Sequence, residues 1–69
     1  MTRYATFCVR TRKQGSKRFE HVGGGTRAAM LELLQSVPSG EVAELYRRSD
    51  EAVLARAWRD EYGLQRIEY

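Results

Sequence analysis

The chain has 69 residues, 42% of them hydrophobic and 30% charged, with a formal net charge of +3. That length allows one domain, residues 1–69, and a modest core, because folding at this size buries only about 60% of the surface the unfolded chain exposes. Cys8 is the sole cysteine, which excludes an intrachain disulfide, and Cys8 with the sole histidine, His21, cannot supply the roughly four ligands of a zinc site.

No nucleotide, metal or cofactor motif appears, so no cofactor is expected. No stretch approaches the roughly 18 apolar residues of a membrane span, and the N-terminal residues carry no run of signal-peptide type. With a lone thiol, the expectation is a cytoplasmic protein without a membrane partner. The charge is unevenly spread. Through Arg27, seven bases (Arg3, Arg10, Arg12, Lys13, Lys17, Arg18, Arg27) face Glu20 alone, a net +6; from Ala28 onward five bases face eight acids, a net −3. A basic front on a mildly acidic back suits an acidic or polyanionic partner.

Residues Arg3 to Arg12 alternate, with Ala5, Phe7 and Val9 on one side and Tyr4, Thr6, Cys8 and Arg10 on the other, the period of a strand. Gln14-Gly15-Ser16 is turn chemistry, and Lys17 to Val22 is expected to return as a second strand ended by Gly23-Gly24-Gly25. Thr26 is a good N-cap for a helix over Arg27 to Ser36, whose stripe is Met30, Leu33, Leu34 and Val37; Pro38 and Gly40 close it.

Glu41 to Arg48 fits either period; a strand is expected, because a helix would leave the hairpin little sheet to pair with. Ser49 can cap a second helix, with Asp50 and Glu51 against the positive end of its dipole. Its apolar arc would be Val53, Leu54, Ala57, Trp58 and Tyr62, with Gly63 as its C′ residue. Leu64 to Tyr69 reads as a last strand. The expected fold is α+β in ββαβαβ order, a small, mainly antiparallel sheet with two helices packed on one face.

The hairpin holding Arg10, Arg12, Lys13, Lys17 and Arg18, with Arg27 nearby, is the leading contact surface. The competing reading is a solvated tip whose charges protect an edge strand, but solubility alone rarely needs so many like charges without interspersed acids. Turn register decides what accompanies them. A two-residue turn puts Tyr4, Phe19 and His21 outward with Arg10, Arg12 and Lys17, an aromatic and basic face of the kind that binds single strands. A three-residue loop sends Phe19 into the core with Phe7 and Val9, and this is the expected arrangement, since a small core needs Phe19.

Gly23-Gly24-Gly25-Thr26-Arg27 offers amides at a helix N-terminus, yet it lacks any nucleotide fingerprint and reads as a strand-to-helix connection. Cys8 and His21 lack the orienting third group and pocket of a nucleophile–base pair, so no catalytic residue and no enzyme are expected. Trp58 is a secondary interface candidate, with Tyr4 and Phe19, although a Trp inside an amphipathic arc usually serves the core. The expectation is a small non-enzymatic modulator, of the kind phages and mobile elements carry as inhibitors, docking on a larger protein or nucleoprotein complex through the basic hairpin. Direct binding of RNA or DNA by the same face is the alternative, and an oligomer-forming structural protein, such as a homodimer, using an exposed strand edge or the Trp58 helix comes third.

Overall fold

A computed structural model describes residues 6–69; Arg3, Tyr4 and Ala5, expected in the first strand, lie outside the described residues. The elements are β1 (Phe7–Lys13), β2 (Glu20–Gly25), α1 (Arg27–Leu34), β3 (Glu41–Arg47), β4 (Val53–Arg59) and β5 (Gln65–Glu68). They form one five-stranded sheet in the order β2-β1-β3-β4-β5, with every neighbouring pair antiparallel. Among the described residues no helix is long and apolar enough to cross a membrane.

The helix expected over Arg27 to Ser36 forms at its predicted start and ends at Leu34, with Gln35 as its C-cap. Thr26 is extended and its hydroxyl accepts from the Ala29 amide at 3.2 Å, satisfying one of the orphan donors of the first turn. Met30 and Leu34, one turn apart, are buried, and Val37 follows them into the core. Alternation in the strands supplies the other side of that core: Val9, Ala43, Leu45, Ala55 and Ala57 face α1. Arg59 Nε donates to the Val37 carbonyl at 3.0 Å, and Gln65 Nε2 reaches the Leu34 carbonyl at 3.5 Å. The end of the helix is thereby tied to β4 and β5.

The expected second helix does not form, so the arrangement with two helices on one face is replaced, among the described residues, by five strands and one eight-residue helix in ββαβββ order. Val53–Arg59 is a strand because β3, already bonded to β1, has a second edge to satisfy. Pairing Leu45 with Ala55 and Ala43 with Ala57 extends both the hydrogen-bonded ladder and the apolar layer. Good helix formers in this segment are overridden by that demand.

Ser49-Asp50-Glu51 is a turn and not a helix start. Arg47 N donates to the Ala52 carbonyl at 2.9 Å, Glu51 takes a φ of 58°, and the Asp50 carboxylate accepts from the Ala52 amide at 3.2 Å. Gly63, with φ 77°, serves the β4–β5 turn and not a helix end, since its amide donates to the Asp60 carbonyl at 3.0 Å.

The glycine triplet is a second correction. Gly23, Gly24 and Gly25 belong to β2, opposite Val9, Cys8 and Phe7. They do not end the strand at Val22; they let the helix come close to it. A Cβ on Gly23 would stand 3.0 Å from Leu33 Cδ2, and one on Gly25 would stand 3.6 Å from Met30 Cε. Their place in the ladder also removes the loop of free amides that an anion site would use. β2 begins at Glu20 instead of Lys17, so residues 14–19 form a longer connection than a tight hairpin turn.

Candidate binding face

α1 covers one side of the sheet; among the described residues the opposite side carries no helix. On it the cross-strand partners form two rows. Arg10, Glu44, Arg56 and Glu68 stand side by side on β1, β3, β4 and β5, and Arg12, Val42, Trp58 and Arg66 form the next row.

Glu44 anchors the first row. It is 4% exposed in the middle of the sheet, and a carboxylate there requires paired charge and filled lone pairs. Arg10 donates to Oε1 from Nε at 3.0 Å and from Nη2 at 2.9 Å. Arg56 contributes Nε at 3.1 Å and Nη2 at 3.0 Å to Oε2. Arg56 also lies 3.8 Å from Glu68. Every buried side-chain polar atom among the described residues has a partner.

Arg10 is fixed from its flanks as well. Its guanidinium carbon lies 4.3 Å from the centre of the Phe19 ring and 4.7 Å from that of Tyr46, so the cation is stacked between two aromatic faces. Burial, followed by the neighbouring Cys8, pushes the Tyr46 hydroxyl above its ordinary pKa.

Phe19 is therefore not the core residue expected from sequence. It is 37% exposed, over Arg10 and within 5.8 Å of the Arg12 guanidinium carbon. The cause is an irregularity between Val9 and Arg10: Val9 pairs with Gly23 but Arg10 with His21, so Val22 is the extra residue in β2. That single insertion resets the alternation. Glycines 23 and 25 face the helix, whereas His21 and Phe19 turn to the uncovered side.

The predicted bases separate into different roles. Arg10 is consumed by Glu44. Arg12 stays on the uncovered face, where Nη1 donates to the Ser16 carbonyl at 3.3 Å. Lys13 alternates to the other side, across from Glu41. Lys17 and Arg18 are exposed in the connection, which is shaped by the turn Lys13–Ser16 with Gly15 at φ 85° and by Arg18 N donating to Ser16 Oγ at 3.1 Å. Arg27 opens α1 on the covered side and does not join them.

Arg12, Lys13, Lys17 and Arg18 form no ion pair among the described residues, whereas Arg10, Arg47, Arg56 and Arg66 all do. Of these, Arg12, Lys17 and Arg18 lie at the end of the face that carries residues 12–19, and Glu20 and Glu41 line the same depression as Arg12, Lys13 and Arg18.

Trp58 is half-buried on the uncovered face instead of central to a helical arc. With Arg12, Val42, Arg56 and Glu68 it lines a shallow depression of about 340 Å³, bordered by Gln14 and Gly15. Cys8, which is buried, and His21 border a second depression of about 360 Å³ with Tyr46, Arg48 and Glu51. Tyr4 lies outside the described residues.

Sequence reasoning assigned no role to Glu44, Val42 or Arg66. The available signal was a single acid at the centre of Val42-Ala43-Glu44-Leu45-Tyr46, an otherwise apolar strand. No family model matches the chain, and no curated protein or solved structure shows significant similarity to it.

Proposed function

We propose that the protein is a non-enzymatic binding module that docks on a larger phosphate-bearing or acidic assembly, such as a nucleoprotein complex, through the corner where the uncovered sheet face meets residues 12–19. The observation that carries this reading is the contrast in charge pairing. The bases elsewhere on the face are held by Glu44, Glu68 and Asp60, while Arg12, Lys17 and Arg18 form no ion pair among the described residues, although Glu20 and Glu41 line the same depression as Arg12 and Arg18. Unpaired like charges repel one another in the free protein, and an anionic partner relieves that repulsion. A modulator that works by occupying a site on its target fits this surface and this size.

The test is retention on immobilised heparin, a generic polyanion, as a salt gradient is applied. Two doubly substituted variants each change the net charge by −2: Lys17→Ala with Arg18→Ala, and Ala28→Glu with Ala29→Glu on the exposed start of α1. The reading expects the first pair to elute at much lower salt than the wild type and the second to elute close to it. Equal loss in both would mean that net charge alone governs retention, and the corner would have no special role.

A further inference from the structure

We propose that the occupant of this face is an unpaired nucleic-acid strand, with bases seated over Phe19 and Trp58 and phosphates carried by Arg12, Lys17 and Arg18. This rests on the function proposed above and names the partner of the same corner.

Three features of the face support it. First, its centre is neutral and one corner of its rim carries cations that form no ion pair. Glu44 and Glu68 cancel Arg10 and Arg56, so bases lying across the middle meet no net charge, while the backbone meets unpaired cations at the edge. Second, the exposed aromatic surface belongs to the same patch as those cations. Phe19 is 37% exposed within 5.8 Å of Arg12, and Arg12 in turn borders the depression that holds Trp58 and Val42. Third, the Phe19 ring is held in place before binding. Arg10, clamped by Glu44, backs the Phe19 ring at 4.3 Å, so little ordering remains to be lost when a base stacks.

A base stack on an aromatic side chain is tolerant of sequence, because every base has a π-face. A duplex keeps its bases stacked inside and would use only the cations. An acidic polypeptide would likewise satisfy the positive corner and leave Phe19 and Trp58 uncovered.

Trp58 is the only tryptophan, so its fluorescence reports on the depression directly. The probes are oligothymidylate, oligouridylate, a DNA duplex of equal length and polyglutamate, each titrated at low salt and again across a salt series. The two single strands are expected to quench Trp58 and to bind severalfold tighter than the duplex. Their salt slope should be near −2, about −0.7 for each of three bases. Phe19→Ala should weaken single-strand binding by about fivefold to a hundredfold and leave duplex binding unchanged, and Phe19→Tyr should restore it.

Equal binding of duplex or polyglutamate without a change at Trp58, or an undiminished Phe19→Ala, would overturn the stacking proposal while leaving the polyanion corner standing. Absence of binding to every probe and to heparin would overturn both.

Discussion

Replacing Glu44 with Gln keeps the shape of the side chain and removes the charge on which two guanidinium groups converge. The amide would keep one acceptor oxygen, for Arg10 or for Arg56, and turn its NH2 toward the donors of the other. Hydrogen bonds to charged groups contribute about 1.5–3 kcal/mol each, and removing one partner of a buried ion pair costs about 3–5 kcal/mol. The arginine side chains here are 24% and 42% exposed and can turn to water, which lowers the expected loss to about 2 kcal/mol. For a domain of this length that corresponds to roughly 8–16 °C in Tm. It is also a large share of the roughly 3–10 kcal/mol by which such a chain is stable.

Urea and thermal unfolding of Glu44→Gln, Arg56→Ala and the double variant would measure the coupling as well as the total. The double variant should be less destabilised than the sum of the single ones, since Arg56 has lost its partner already. A Glu44→Gln variant within about 0.5 kcal/mol of the wild type, the usual range for neutral surface changes, would refute the view that this carboxylate organises the face.

Other substitutions separate the remaining arguments. Gly23→Val should destabilise by about 1–3 kcal/mol in urea unfolding, because its side chain meets Leu33, whereas Gly25→Ala at ordinary contact distance from Met30 should stay within about 1 kcal/mol of neutral. Thr26→Ala removes the helix cap and should cost about 1 kcal/mol in the same assay.

Asp50 is held at a pKa of about 2 by the Arg47 side chain and then by the Ala52 amide. A carboxylate depressed in the folded state contributes stability above its unfolded value of about 3.9, and that contribution is lost as the pH falls toward the folded value. NMR titration should find the low value, and Asp50→Asn should show a smaller loss of stability between about pH 4 and 2 than the wild type. An Asp50 titrating at an ordinary value would contradict the Arg47 contact.

Local signals were legible where one residue type decided the outcome. Thr26 and the Met30–Leu34–Val37 stripe define α1, and Gly15 marks the first turn. β3 fits either period in sequence and is a strand because the first hairpin needs a sheet to pair with. Val53–Arg59 was not legible, because Leu54, Ala55, Arg56 and Ala57 are good helix formers and Ser49-Asp50-Glu51 imitates an N-cap. What decides that segment is the bare edge of β3, a demand that no local window contains.

The face was half legible. The basic cluster is plain in the sequence, but the position of Phe19 depends on one inserted residue, Val22, and the pairing of Glu44 with Arg10 spans 34 positions. Both depend on register, and hydrophobic pattern specifies register only once the partner strand is known.

The order β2-β1-β3-β4-β5 also sets a sequence of events for the growing chain. β1 and β2 can pair as soon as Gly25 has been made, and α1 can settle on them, but the second edge of β1 then waits for β3. In that interval an unpaired edge is open to other copies of the same half-made chain, the usual route to aggregation. That edge carries Arg10, Arg12 and Lys13 on one short strand. Until Glu44 arrives to neutralise the first of them, these charges would repel the same strand of another copy.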